Sequence, residues 1–198
     1  MFASSVARAL LLALSLFVFG CEQRAQTRFA STDISGADFG KGFSLTDHAG
    51  KLRTLADFRG KVVTLFFGYT QCPDVCPTSM ASMAEVMKLL GDDAKRVQVL
   101  FITVDPERDT PQLLAQYVPT FHPDFLGLYG DASATAQVAK DFKVFFQKQP
   151  GSSAENYTVD HTAGTYVYDP QGRIRLYVRH GERPETIAAD IKLLLAGK

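Results

Sequence analysis

The chain has 198 residues, of which 46% are hydrophobic, an ordinary share for a globular protein. Lysine and arginine total 21, as do aspartate and glutamate, so the formal net charge at pH 7 is zero. This balance gives no electrostatic basis for a nucleic-acid partner, and the length fits one domain with a core of its own.

The N-terminus has the pattern of a secretory signal peptide. Arg8 precedes an apolar run over residues 9–19 that is too short and wrongly flanked for an ordinary spanning helix. The four residues that end in Cys21 resemble a bacterial lipobox, although Phe19 stands where a small residue is usual. We therefore expect residues 1–20 to be a lipoprotein signal peptide and Cys21 to carry lipid. The domain would then be lipid-anchored to a membrane of the bacterial cell envelope, on the periplasmic side. An uncleaved N-terminal anchor is the alternative.

A polar segment with little periodicity follows. Residues 21–38 are predicted to form a flexible tether between the lipid and a folded domain over residues 39–198. That domain begins with a predicted N-terminal β-hairpin, whose strands at residues 43–46 and 52–54 flank a turn.

Strand and helix signals then alternate along the chain. Continuous apolar runs predict strands that are buried on both faces, at residues 61–67 and 96–104. Helices are predicted over residues 78–90, 109–118, 131–142 and 184–195, and shorter strands over residues 125–129, 157–159, 164–168 and 173–178. This order predicts an α/β three-layer sandwich with a central sheet.

Cys72 and Cys76 follow the first buried strand and precede a predicted helix. On this short loop the two thiolates could bind a soft metal ion or form a redox-active disulfide. Pro77 suits the first helical position, and a helix N-terminus would favour the thiolate of Cys76. A purely structural disulfide is the remaining interpretation, but closing so short a loop removes little entropy from the unfolded chain.

A metal site on these thiols would need a third ligand, and the chain has four histidines. His161 lies between strand signals, and the neighbouring Asp160 could accept a hydrogen bond from its ring. A lone histidine is more commonly a packed or surface residue, so the ligand role of His161 stays open at this point. His48, His122 and His180 have no comparable context and are expected to be exposed.

Further acidic residues are candidates for the surroundings of such a site. Asp105 begins the charged segment at residues 105–109, after the second buried strand. This segment could be a rim that contacts a partner, or a plain loop in which Asp109 caps the next helix. Asp74, between the two cysteines, is a second candidate for the rim.

Several motifs in this sequence resemble the SCO/SenC family, thioredoxin-fold copper proteins of respiratory-oxidase assembly. They are Phe67-Gly-Tyr-Thr-Gln-Cys-Pro-Asp-Val-Cys-Pro77, Thr103-Val-Asp-Pro-Glu-Arg-Asp-Thr-Pro111, Val159-Asp-His-Thr-Ala163 and Tyr168-Asp-Pro-Gln-Gly172. The resemblance covers about residues 38–198. It implies a thioredoxin-like fold with a central mixed sheet, and copper, as Cu(I) or Cu(II), bound by Cys72, Cys76 and His161. Zinc is the rival metal for such ligands.

The resemblance implies two functions, between which the sequence does not decide. One is a copper chaperone that takes copper from a periplasmic donor and delivers it to the dinuclear copper site in subunit II of cytochrome c oxidase. The other is a thiol–disulfide oxidoreductase that reduces the cysteines of that subunit, itself served by a thioredoxin-like reductant. Thioredoxin-like reductases use a C-x-x-C motif and a cis-proline. Here the cysteine spacing is one residue longer and His161 stands where the proline is expected, which favours metal binding.

Overall fold

A computed structural model describes residues 29–153 and 156–198. The predicted signal peptide, Cys21 and the first part of the predicted tether lie outside the described residues. The strands are β1 (Thr32–Asp33), β2 (Ser44–Asp47), β3 (Leu52–Thr54), β4 (Val62–Gly68), β5 (Val97–Thr103), β6 (Leu126–Tyr129), β7 (Phe146–Gln149), β8 (Thr158–His161), β9 (Thr165–Tyr168) and β10 (Ile174–Val178). The α-helices are α1 (Val75–Leu90), α2 (Pro111–Tyr117), α3 (Ala132–Asp141) and α4 (Pro184–Leu195). Short 3-10 helices lie at Leu55–Phe58, Gly91–Arg96 and Val118–Thr120.

Eight strands form one mixed sheet in the order β1-β10-β9-β4-β5-β6-β2-β3. The pairs β4–β5 and β5–β6 are parallel, and the other neighbouring strands are antiparallel. Every residue of the two central strands, β4 and β5, is buried, as expected for strands that are covered on both faces. The mixed central sheet and the N-terminal hairpin β2–β3 confirm the predicted fold class.

Helices cover both faces of this sheet. Phe66 of β4 pairs with Phe101 of β5, and Phe101 contacts Tyr117 at the end of α2. Because side chains alternate along a strand, Phe67 points to the opposite face, where it meets Phe142 just after α3. Helix α4 packs against α1. Helices on both sides of the sheet complete the three-layer sandwich that the sequence predicts.

The folded domain begins earlier than predicted. Strand β1 adds to the edge of the sheet beside β10. The buried carboxylate of Asp190 in α4 accepts hydrogen bonds from the backbone N–H groups of Ala30, at 2.9 Å, and Ser31, at 2.8 Å. The sequence predicts a tether over residues 21–38, whereas residues 29–34 lie against the domain. This segment is held by one distant carboxylate and a two-residue strand. Its sequence therefore shows no repeating pattern of apolar residues from which its contact with the domain could be predicted.

A separate hairpin, formed by β7 and β8, carries the histidine of interest. His161 pairs with Phe146, and the hairpin does not join the eight-stranded sheet. The sequence predicts a strand at residues 157–159 but not its partner, because Phe-Gln-Lys-Gln in β7 has no alternation of apolar and polar residues.

Helix α1 also starts earlier than predicted. It begins at Val75, with Asp74 as its N-cap, so that Cys76 and Pro77 both lie in the first turn. Pro77 is tolerated there because an N–H in the first turn has no partner within the helix. The bounds of the other predicted elements agree with the structure to within two residues. No helix in the described ranges combines the length and the hydropathy that crossing a bilayer would need.

Candidate metal centre

Cys72, Cys76 and His161 come together where β4 gives way to α1. Their three potential ligand atoms lie within 4.8 Å of one another, and His161 Nε2 lies 3.3 Å from Cys76 Sγ. In the described part of the chain, no other group of three such side chains gathers this closely. The structure therefore brings together the three residues that the family resemblance implies.

The two cysteines have different environments. Both thiols are free; Cys72 is half-buried, whereas Cys76 is fully buried. The backbone N–H of Cys76 donates a hydrogen bond to Cys72 Sγ at 3.4 Å. In the first turn of α1, the backbone N–H of Cys76 thus points at the sulfur of Cys72. The sequence predicts instead that the helix N-terminus would favour the sulfur of Cys76.

Burial dominates the electrostatics of Cys76. It raises the pKa of the Cys76 thiol, while a backbone hydrogen bond from Tyr69 acts in the opposite direction. This differs from the expectation that the helix would favour the Cys76 thiolate, because the side chain faces the sheet. Burial therefore favours the neutral thiol form of Cys76.

Gly68, the last residue of β4, provides the space in which the Cys76 side chain lies. A Cβ atom at this position would be 2.9 Å from Cys76 Sγ and 2.8 Å from atoms of the Phe66 and Phe101 rings. The requirement for glycine is steric here, because the neighbouring side chains of Phe66, Cys76 and Phe101 are buried and at least one of them would have to shift to admit a Cβ atom. Sequence reasoning missed this residue, whose one signal was a glycine at the end of a strand.

A backbone contact orients the ring of His161. Its Nδ1 lies 3.0 Å from the carbonyl oxygen of Thr162, so Nδ1–H donates and the lone pair of Nε2 faces the thiols. Burial lowers the pKa of His161 and favours the neutral form that can bind a metal. The sequence proposed Asp160 as the acceptor for this ring, but Asp160 is exposed and accepts from Gln149 Nε2 at 2.7 Å.

The donor set fits copper. Two sulfur atoms and one neutral imidazole nitrogen are ligands that soft or borderline ions such as Cu(I) prefer. Asp74 and Asp160 line the cleft that Cys72 and His161 also line. Both carboxylates therefore lie at the rim of the candidate metal centre.

Asp105 does not lie at the rim. Its carboxylate is fully buried, and it accepts hydrogen bonds from Arg108 Nε at 2.5 Å and from the Tyr157 hydroxyl at 2.7 Å. The sequence predicts either a plain loop or a partner-contacting rim for residues 105–109. The segment is a loop, but Asp105 faces inward, because Arg108 of the same loop and Tyr157 of a distant segment donate to its carboxylate.

Asp109 is also buried, and it is not the N-cap of α2. Thr110 is the N-cap, and its hydroxyl accepts from the Leu113 N–H at 3.2 Å. Asp109 accepts hydrogen bonds from the hydroxyls of Thr70 and Thr103, both at 2.6 Å, and burial raises its pKa. It therefore ties the residues that precede Cys72 to the end of β5.

The other histidines lie away from this cluster. His48 Nδ1 accepts from the Gly127 N–H, His122 Nδ1 accepts from the Asp124 N–H, and His180 Nδ1 lies 3.0 Å from the Ser79 hydroxyl. None of the three belongs to the Cys72–Cys76–His161 group. They therefore offer natural controls for substitutions at His161.

Comparison with known proteins identifies relatives over almost the whole described chain. The SCO1/SenC family model matches residues 31–196. A Bos taurus relative named Protein SCO2 homolog, mitochondrial, is 38% identical over 178 residues, which is 88% of this chain and 67% of the relative. The chain thus spans about two thirds of that relative's length.

Solved structures agree in fold. The copper-bound structure of ScoI from Bradyrhizobium japonicum is 43% identical, with a TM-score of 0.73, and the match covers 80% of this chain and 100% of that one. The crystal structure of a SCO1/SenC family lipoprotein from Bacillus anthracis is 28% identical, with a TM-score of 0.67, over 77% of this chain and 92% of that one.

Proposed function

The chain belongs to the SCO1/SenC family, and we propose that it is a copper chaperone for cytochrome c oxidase assembly. It would carry copper on Cys72, Cys76 and His161 and deliver it to the dinuclear copper site of oxidase subunit II. The observation that carries this proposal is the convergence of two thiols and one Nε2 atom within 4.8 Å. The copper-bound B. japonicum ScoI structure supports the choice of metal.

The chemistry of the site supports reversible binding of copper as cargo. His161 needs no proton loss to bind, because its Nδ1–H donates to the Thr162 carbonyl oxygen and Nε2 carries the lone pair. Each thiol must lose its proton when the ion binds, so uptake is coupled to proton release. Three ligands satisfy Cu(I); for Cu(II), water or a rim carboxylate such as Asp74 could add a further ligand.

The difference in burial between the two thiols suggests the order of transfer. Cys72 is half-buried and lines the open cleft, whereas Cys76 is enclosed by α1 and β4. A ligand of the receiving protein would therefore replace Cys72 first, and Cys76 and His161 would release the ion afterwards. The same route in reverse would serve loading from a periplasmic copper donor.

Membrane attachment is the second part of the proposal. Cys21 would carry a lipid that anchors the domain on the periplasmic side of a membrane, close to a membrane-bound oxidase. The lipobox-like sequence before Cys21 and the relationship to a SCO1/SenC family lipoprotein from B. anthracis support this anchoring.

Thiol–disulfide exchange is the second candidate function, and the geometry of the free thiols favours it. Cys72 could attack a disulfide of subunit II to form a mixed disulfide, and Cys76 behind it could then attack the Cys72 sulfur, which forms the Cys72–Cys76 disulfide and releases the subunit as a dithiol. The substrate disulfide would gain two electrons and two protons, and Cys72 and Cys76 would become a disulfide. A thioredoxin-like dithiol would have to reduce that disulfide before the next cycle.

His161 separates the two functions, because a carrier needs its imidazole and dithiol exchange does not. The experiment measures oxidase activity in cells that lack the wild-type protein and express His161→Ala, at low and at raised copper, with His122→Ala as the control. A chaperone predicts loss of activity at low copper and partial recovery at raised copper. Normal activity at low copper would reject the chaperone and favour the reductase.

A further inference from the structure

Arg108 connects three separate parts of the chain beside the metal centre. Its Nε donates to Asp105 Oδ2 at 2.5 Å, and its Nη1 donates to the carbonyl oxygen of Tyr157 at 2.9 Å. The same Nη1 lies 3.2 Å from Gln71 Oε1, directly before Cys72. One guanidinium thus joins its own loop, the cysteine loop and the segment that leads into β8.

Tyr157 closes this arrangement into a ring of contacts. Its hydroxyl donates to Asp105 Oδ1 at 2.7 Å, and the Arg108 guanidinium carbon lies 3.5 Å from the centre of its aromatic ring. The Asp105 side chain is 0% exposed and that of Arg108 only 12%. Because water competes little at this depth, these charged hydrogen bonds hold their geometry firmly.

The hairpin that carries His161 depends on such contacts for its position, since it forms no ladder with the main sheet. Tyr157 directly precedes β8. Within β8, the Val159 N–H donates to Tyr69 Oη at 3.1 Å. The ion pair of Lys148 with Glu107 also reaches the hairpin, but both side chains are largely exposed, and such pairs contribute little.

We propose that Asp105, Arg108 and Tyr157 form a clasp that positions His161 for copper. The clasp would hold the β7–β8 hairpin so that Nε2 stays within reach of both thiols before the ion arrives. Its three residues do not contact the ion. They raise the copper affinity because the hairpin is already ordered, so that copper binding does not have to immobilise it. This inference rests on the proposed copper-binding function.

Two substitutions loosen the clasp while conserving its bulk. Arg108→Lys keeps the charge but loses the planar fork that reaches Asp105 and Tyr157 together. Tyr157→Phe keeps the ring under the guanidinium but loses the hydrogen bond to Asp105. The matched control is Arg53→Lys: Arg53 pairs with the buried Asp47 at 2.7 Å and lies over an aromatic ring, but in the hairpin at the far edge of the sheet.

The first measurement is Cu(I) affinity of the full-length protein, by competition with a chelator. Arg108→Lys should weaken binding about tenfold, the lower end of the loss seen when a direct partner of a metal ligand is removed, because Arg108 acts on His161 through Tyr157 and β8. Arg53→Lys should leave the affinity unchanged. In a His161→Ala background, Arg108→Lys should cause no further loss, because the clasp acts through His161. The proposal would be overturned if Arg108→Lys lowered the Cu(I) affinity equally in wild type and in His161→Ala. It would also be overturned if Arg108→Lys lowered the affinity no more than Arg53→Lys does.

The second measurement uses no copper. Hydrogen exchange at the amides of Val159 and Thr162 should become faster in Arg108→Lys and Tyr157→Phe, and stay unchanged in Arg53→Lys. Unchanged exchange at these amides would overturn the clasp. Faster exchange in a protein whose wild-type form binds no Cu(I) would instead reject the proposed function while supporting the clasp's hold on the hairpin.

Discussion

Sγ of Cys76 and Nε2 of His161 lie 3.3 Å apart, although the two residues are 85 positions apart in the chain. Burial raises the pKa of the thiol and lowers the pKa of the imidazole. Both effects favour a neutral pair, in which the S–H group donates to Nε2, over a thiolate–imidazolium pair. The copper-free site is thus preformed but protonated on sulfur, and copper must displace that proton.

This neutral pair predicts how the stability of the copper-free protein depends on pH. The pKa of Cys76 in the folded state lies above its ordinary value of 9.0. Its contribution to the free energy of unfolding is therefore fully present below pH 9.0 and is lost as the pH rises above that value. When denaturant unfolding is measured at a series of pH values from below to above pH 9.0, the free energy of unfolding should fall more steeply with pH for wild type than for Cys76→Ala. Cys72→Ala serves as the comparison, and identical slopes for wild type and Cys76→Ala would contradict the burial argument.

Gly68→Ala should damage the site through crowding alone. The added methyl group would meet Cys76 Sγ and two aromatic rings at less than 3.0 Å, and such overpacking costs about 1–3 kcal/mol. Because Cys76 must shift, we expect weaker Cu(I) binding as well as a lower free energy of unfolding.

Gly127→Ala is the matched control for that change. Gly127 lies in β6, where a Cβ atom would be 3.1 Å from Val118 Cγ2 and 3.2 Å from Leu114 Cβ. This variant should lose stability without losing Cu(I) affinity. Equal effects of the two variants on affinity would show that Gly68 acts only through general stability.

Asp190→Ala should release the N-terminal segment from α4. The buried carboxylate accepts from two backbone N–H groups, those of Ala30 and Ser31, and leaving such groups unsatisfied costs about 1–3 kcal/mol. Hydrogen exchange should become faster in residues 30–34, with unchanged Cu(I) affinity. Protection of these amides equal to that of wild type would contradict the docking role of Asp190.

Cys21→Ser should abolish lipid attachment. We expect the protein to leave the membrane fraction or to remain as an unprocessed precursor, while Cu(I) binding stays the same, because the predicted tether carries none of the candidate ligands. Fractionation and mass spectrometry of the N-terminus provide the readout. A variant that is cleaved after residue 20 and still sediments with membranes would argue against lipidation of Cys21.

Much of the fold is predictable from local patterns. The fully buried strands β4 and β5 appear as continuous apolar runs, and α4 begins at a proline and matches its predicted bounds. The cysteine loop is recognisable because Cys72 and Cys76 follow such a strand directly. His161 is different, since its position between strand signals makes it only a candidate, and the family resemblance is what implies that it is a ligand.

The features that cannot be predicted from the sequence, such as strand β7 and the clasp, depend on contacts between segments that are distant in the chain. Strand β7 is polar and has its partner beyond a loop, so its four residues have no signal of their own. The clasp requires Asp105 and Tyr157 to meet across 52 positions, and no spacing rule relates them. Helix α1 begins at Val75, before the start that Pro77 predicts, because a proline is tolerated anywhere in the first turn and does not mark the first helical residue.

X-ray absorption spectroscopy of the full-length protein loaded with Cu(I) can establish whether Cys72, Cys76 and His161 together hold copper, because the method counts the sulfur and nitrogen neighbours of the ion. We expect two sulfur ligands and one imidazole nitrogen in wild type and in His122→Ala, and loss of the imidazole signal in His161→Ala. A spectrum of His161→Ala that is identical to that of wild type would show that His161 is not a copper ligand.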